Sequence, residues 1–243
     1  MKLRVFLVLI LIVPFAHAQQ SFSFSKSKKE LVKLYQTLPE ATTFYCGCDI
    51  KWTGKKGSPI PESCGYTPRN AVTRKGNPNK RATRIEWEHV VASWHFGHQL
   101  QCWQNGGRKN CSKNSQVFKR MEADMHNLVP AVGELNADRS NFKYGMIEGE
   151  PRSYGACDFE VNFKGKRAEP SPSVRGDIAR KYFYMSDQYG FRISKQQLKL
   201  FEAWSRADPV DEWECKRNKL IEGVQGNTNR FVMDECQEKA REH

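Results

Sequence analysis

The chain has 243 residues, with 39 Lys+Arg set against 27 Asp+Glu for a formal net charge of +12. That length buries a sizeable core unaided, and no internal repeat, heptad pattern or low-complexity linker interrupts it, which excludes a solenoid or a coiled coil. The excess of positive charge favours polyanionic partners (nucleic acid, anionic lipid headgroups or acidic polysaccharide) although solubility alone is the plainer explanation.

Residues 1–18 have the make-up of an export signal. Lys2 and Arg4 precede an apolar run from Val5 to Phe15, and Ala16-His17-Ala18 places small residues around a cleavage point. The run is short of the roughly 20 apolar residues that span a bilayer, and no later stretch approaches that length. The expected mature protein is residues 19–243: one exported domain, starting at Gln19, not inserted in a membrane, monomeric, and periplasmic or secreted. Losing Lys2 and Arg4 leaves it at +10.

Residues 27–38 carry Leu31, Leu34, Tyr35 and Leu38 at helical spacing and predict a helix. Residues 58–61 and 76–79 have turn chemistry, within an irregular basic stretch containing Arg69, Arg74, Lys75, Lys80, Arg81 and Arg84. Residues 85–92 alternate and are β-branched, so they predict a strand or hairpin. Residues 101–115 are polar, hold Gly106-Gly107, and read as a long loop. Residues 124–130 predict a second short strand ended by Pro130, and residues 132–142 a helix with Asn136, Arg139 and Ser140 on one face.

Residues 153–163 have strand character, and the Pro170/Pro172 segment at 169–173 breaks the chain. A long helix follows, with Val174, Ile178, Tyr182, Met185 and Tyr189 as its buried stripe and Gly190 as its stop. Helices are predicted at 195–206, burying Leu198, Phe201 and Trp204, and at 211–222. Residues 226–229 then turn the chain back toward Cys236. The sum is an α+β fold: a single mixed domain of helices, short strands and disulfide-tied loops.

All eight cysteines (Cys46, Cys48, Cys64, Cys102, Cys111, Cys157, Cys215 and Cys236) lie in the exported part, and an even number there predicts four disulfides. Cysteines one residue apart pair poorly with each other, so Cys46 and Cys48 are expected to send separate bridges in different directions. Cys102 and Cys111 flank the glycine-rich stretch and form the expected local pair.

Three motifs carry the chemistry: WEHVV (87–91), DMHNLVP (124–130) and ELNADRSN (134–141). Glu88 offers a hard anionic oxygen and Asn136 a neutral one. A single carboxylate suits Mg²⁺, which keeps several waters and accepts phosphate oxygens, although other divalent ions fit the same donors. His89 is the candidate general base. Adjacent side chains on a regular strand face opposite ways, so a strand end, bulge or turn is expected between Glu88 and His89.

Arg108 can place its guanidinium fork on a phosphate. Glu122 is a candidate to orient His89 or a metal-bound water, and Asn127 to tie down the turn after its strand through backbone hydrogen bonds. Arg139 and Lys143 are candidate backbone-phosphate contacts. His95 and His98 lack a third ligand at usable spacing and read as loop histidines.

WEHVV, CWQNGGRKNC and MEADMHNLVPAVGELNADRSNFKY closely resemble the bacterial exported endonuclease I family. ARKYFYMSDQYG, AWSRADPVDEWEC and VQGNTNRF extend the likeness over residues 30 to 237 or so. The resemblance implies a ββα-metal site related to the HNH nucleases and cleavage of DNA, and to some extent RNA, without sequence preference, leaving 5′-phosphate ends. It places the general base on His89, Mg²⁺ ligands on Glu88 and Asn136, and the phosphate-binding arginine on Arg108. Two departures stand out. Ala92 replaces a proline common after EHVV, and Asn229-Arg230 stands where Asn-Pro is common. Neither falls on a proposed ligand.

Overall fold

The computed structural model describes residues 23–149 and 151–242. The expected leader at 1–18 and the expected start at Gln19 lie outside the described residues.

Helix α1 (Phe24–Gln36) begins where the Ser23 hydroxyl accepts from the Lys26 N–H at 3.2 Å. It buries Leu31, Leu34 and Tyr35, the stripe read from spacing. A hairpin follows, β1 (Ile50–Thr53) and β2 (Lys56–Pro59), then β3 (Ile85–His89). Short helices α2 (Ser93–Gly97), α3 (Gln101–Gln104), α4 (Gly107–Asn114) and α5 (Gln116–Ala123) lead to β4 (Leu128–Val132) and directly into α6 (Gly133–Arg139). Next come β5 (Lys143–Tyr144), β6 (Phe159–Asn162) and β7 (Arg167–Pro170). Helices α7 (Arg175–Tyr189), α8 (Lys195–Ala207), α9 (Glu212–Gln225) and α10 (Arg230–Glu242) complete the described chain.

This is an α+β single domain built around one ribbon. β3 and β4 pair antiparallel, with Glu88 opposite Val129 and His89 opposite Leu128, and α6 packs back on both strands. The ribbon and α6 thus form a ββα unit, with α2 to α5 inserted between its strands. In a second, three-stranded sheet β7 is central, parallel to β5 and antiparallel to β6. The main core joins the two, from Val90, Val129 and Leu135 to Phe159, Tyr182 and Phe201. No helix among the described residues is long and apolar enough to cross a membrane.

Several sequence expectations are corrected. Residues 101–115 are helical, not a loop. Their polar sequence shows no apolar stripe, and the two turns are held instead by the Cys102–Cys111 bridge and by Asn110 Nδ2 donating to the Cys102 carbonyl at 2.6 Å. His95 accordingly lies on α2 and His98 caps it. Pro130 does not end its strand. It sits in mid-β4 opposite Trp87, tolerated because that ribbon edge needs no ladder donor there, and its carbonyl accepts from Phe44 N at 2.8 Å.

Residues 124–127 form a turn of 3₁₀ helix rather than strand. Ser58 and Pro59 belong to β2, and Glu169 and Pro170 to β7. Leu198 is 37 % exposed rather than buried. The segment after residue 229 is a further helix, α10, tied to α9 by Cys215–Cys236. The other bridges are Cys46–Cys157 and Cys48–Cys64, so the two cysteines beside Gly47 are tied to separate parts of the chain.

His126, in the turn before β4, is 2 % exposed, with Nε2 2.9 Å from the Asn227 carbonyl oxygen. Burial pushes its imidazole down to about 4. The unfolded chain takes up that proton near pH 6.5. The contribution is therefore complete above about pH 6.5 and is lost as pH falls through 4. His126→Asn is expected to remove about 3 kcal/mol of the stability loss between pH 7 and pH 4, read from urea unfolding at each pH. Buried Glu88 and Glu214, both lifted to about 7, act oppositely, so the observable is the variant's slope minus the parent's. Identical slopes would place the acid sensitivity elsewhere.

Candidate active site

The ββα unit brings the three motif residues to one cavity of about 640 Å³, lined by Glu88, His89 and Asn136 together with Glu86, Arg108, Phe24 and Lys28. Glu86 and Glu88 are two residues apart on β3, so they share the strand face that α6 covers. His89 belongs to the opposite face by alternation but is the last residue of β3, and there it also reaches the cavity. The register runs unbroken through Glu88 and His89. A strand end, not a bulge, resolves the geometry.

Glu88 is 4 % exposed. Its Oε1 accepts from Arg139 Nη1 at 2.9 Å and from the Tyr45 hydroxyl at 3.2 Å. Both partners are on Oε1, and the residue lines the cavity. Burial lifts the carboxyl to about 7, against the pull of Arg139 and Tyr45. Asn136, on α6, donates from Nδ2 to Glu86 Oε2 at 2.8 Å. That donation fixes the amide so that its carbonyl Oδ1 points away from Glu86. Glu86 is itself held, by Arg84 at 2.6 Å and by Arg81.

His89 is 5 % exposed, with Nε2 2.8 Å from the Glu122 carbonyl oxygen. A carbonyl can only accept, so Nε2 carries the proton and Nδ1 the lone pair. Burial, reinforced by the positive charge of Arg108, pushes the imidazole down to about 3, and the ring is neutral across the physiological range. The Phe24 ring lies over it with centroids 4.9 Å apart.

Arg108, on α4, donates from Nε to Glu122 Oε1 at 2.8 Å, and Ser112 donates to the other Glu122 oxygen at 2.8 Å. The Glu122 side chain therefore positions Arg108, while its backbone positions His89. It does not reach the imidazole. Asn127 precedes β4 and closes the turn after the partner strand β3 rather than one after its own, accepting from Val91 N at 2.7 Å and donating to Val91 O at 3.0 Å.

Arg139 requires a correction. It is 0 % exposed and donates to Glu88, to the His89 carbonyl at 3.0 Å and to the Val90 carbonyl at 2.5 Å. It braces the site from beneath and offers no surface contact to a polyanion. Its helix face is the one turned onto the ribbon, which the sequence spacing left unsigned. Lys143 is exposed on β5. His95 is bonded between the Tyr182 hydroxyl and the Asn141 carbonyl, both at 3.0 Å, and His98 stacks on Trp94. Neither joins the cavity.

Four contributors escaped the sequence reading: Glu86, Tyr45, Phe24 and Lys28. Glu86 was findable, since a residue two before Glu88 on a strand shares its face. Among the described residues no three His, Cys, Asp or Glu side chains cluster to hold a metal. Glu88 and Asn136, which line the one cavity, offer a carboxylate and an amide oxygen, both hard donors. They fit an ion that keeps most of its coordination for water and phosphate, and they do not fit zinc.

The family model described as Endonuclease I matches residues 23–236. A periplasmic deoxyribonuclease of Aeromonas hydrophila is 55% identical over 221 residues, 90% of this chain and 89% of that protein. An Endonuclease-1 of Buchnera aphidicola subsp. Acyrthosiphon pisum is 46% identical over 217 residues, 89% of this chain and 83% of the relative. An extracellular ribonuclease of Bacillus amyloliquefaciens is 30% identical over 128 residues, 45% of this chain and 43% of its own.

Proposed function

This chain belongs to the endonuclease I family, and from that premise we propose that it is an exported, sequence-independent endonuclease using one Mg²⁺ ion and His89 as general base. Its substrate is DNA, and RNA as well, with 5′-phosphate ends as products. It works in the periplasm or outside the cell, as a monomer.

The observation that carries this is that Glu88, Asn136 and the neutral imidazole of His89 line one cavity. Glu88 and Asn136 would hold the ion. A divalent cation there supplies charge to the crowded phosphate and assists the departing oxygen. His89 takes the proton from the attacking water at Nδ1, because Nε2 is committed to the Glu122 carbonyl. Phe24 shields the imidazole from bulk water. Arg108, braced by Glu122, turns its remaining N–H groups to a phosphate oxygen. Sequence independence follows if contacts go to phosphates, which carry no base information. The relative named an extracellular ribonuclease supports the RNA arm.

The test is plasmid digestion with and without chelator. Cleavage is expected to stop with chelator and to return when excess Mg²⁺ is added. Undiminished cleavage in chelator would sink the one-ion reading. DNA binding without turnover under both conditions would favour a basic DNA-binding module instead. Hydrolysis of anionic lipid or polysaccharide that is insensitive to competing DNA would move the substrate class.

A further inference from the structure

A second groove, of about 600 Å³, runs on from the catalytic cavity. Lys28, Arg84, Ile85 and Trp87 line both. The second groove adds cations from three separate parts of the chain: Lys29 on α1, Lys55 and Lys56 at the β1–β2 turn, and Lys80 ahead of β3. Among the described residues no carboxylate lines it.

Elsewhere several arginines are neutralised by carboxylates. Arg69 pairs with Asp138, Arg175 with Glu169, Arg180 with Glu214 and Arg230 with Asp187. None of the five groove lysines has an ion-pair partner among the described residues. Ammonium groups gathered round one trough repel each other, and of the five only Lys28 is shown over an aromatic ring, 4.5 Å from the Phe24 centroid, among the described residues. Their combined field is favourable only when a polyanion enters. Trp52 lines the same groove and is half-buried against the core cluster that includes Leu31, Leu34 and Tyr35. A half-buried indole set among lysines is the pairing that single strands use, phosphates on cations and a base on the aromatic face.

The groove is also fixed relative to the catalytic residues. β2 lies so close to β3 that a Cβ on Gly57 would come 2.6 Å from Ile85 Cδ1. Gln36 Nε2 donates to the Gly54 carbonyl at 2.5 Å and ties the hairpin turn to α1. Ile85 begins the strand that carries Glu88. Whatever lies in the groove is therefore held in register with the cavity next door.

We propose that this groove is a polynucleotide subsite. It holds the strand adjoining the nucleotide being cut, with backbone phosphates on Lys29, Lys55, Lys56 and Lys80 and one unpaired base against Trp52. It rests on the nuclease reading above and extends it beyond the reacting phosphate.

The test is binding of a short, nuclease-resistant phosphorothioate oligothymidylate, followed by fluorescence anisotropy over a salt series. Lys55→Gln/Lys56→Gln is expected to weaken binding about tenfold at low salt and to flatten the log–log salt slope by about 1.4, or 0.7 for each phosphate no longer neutralised. Lys195→Gln/Lys199→Gln removes the same charge from α8, which lines neither cavity, and is expected to leave the slope unchanged. Trp52→Ala is expected to weaken binding and Trp52→Phe to restore it, with thermal melting confirming that both fold. A Lys55/Lys56 variant with the parent's slope, or an α8 variant that reproduces the loss, overturns the groove and leaves the catalytic reading standing. A parent that fails to bind the oligonucleotide also overturns the groove, and plasmid nicking by that same parent tests the catalytic reading separately.

Discussion

His89→Ala is expected to slow plasmid hydrolysis by about 10²–10⁴-fold, the contribution a positioned general base makes, with little change in DNA affinity or folding. The imidazole touches the fold through one hydrogen bond, to the Glu122 carbonyl, and through the Phe24 and Phe96 rings. An alanine there removes the base and leaves Glu88, Asn136 and Arg108 in place. The check is a supercoiled-plasmid nicking rate at saturating Mg²⁺, with binding of a nuclease-resistant oligonucleotide as control. A variant within a few-fold of the parent would mean that the proton goes elsewhere. Glu122→Gln should act differently: the carbonyl that fixes the His89 tautomer remains, and the effect arises through Arg108 and appears in phosphate binding.

Arg139→Ala carries the largest expected cost to the fold. Its guanidinium is wholly buried and neutralises Glu88 while satisfying the carbonyls of His89 and Val90. Without it a buried carboxylate retains only the Tyr45 hydroxyl, itself hydrogen-bonded to Tyr144. Breaking a buried pair from one side costs about 3–5 kcal/mol, to be read from denaturant unfolding. Arg139→Lys should rescue little, because one ammonium cannot serve three acceptors spread over a carboxylate and two carbonyls. A loss under about 1 kcal/mol would show that water replaces the guanidinium there.

The residues that meet at the cavity were legible in the sequence because each is a chemically unusual residue inside a short motif. Glu88 and His89 are adjacent, and Asn136 sits where α6 presents it. What surrounds them was not legible, because their partners are distant in sequence. Tyr45 and Arg139 reach Glu88 from 43 and 51 residues away. Arg139 illustrates the limit well. Periodicity showed that it shares a helical face with Asn136 but could not say whether that face meets solvent or the ribbon. Secondary structure followed the same division. Three helices with an apolar stripe, α1, α7 and α8, were found near their true bounds, whereas α5, which buries Phe118 and Met121, was not read at all. The polar α3, α4 and α10 were missed, because they are stabilised by Cys102–Cys111 and Cys215–Cys236, whose pairing acts across turns. Pro130 misled for a related reason: proline breaks a central strand but not the outer edge of a two-stranded ribbon.

The Cys46–Cys157 bridge closes a loop of 111 residues that contains the whole ββα unit, and residues 71–78 within that loop are exposed. A protein working outside the cell meets proteases, and that stretch is the natural place for a first cut. Such a nick yields two chains, yet one carries Cys46 and the other Cys157. The halves stay covalently joined, and Glu88, His89 and Asn136 remain on the same piece. Wear of this kind would register on a reducing gel well before any loss of hydrolysis.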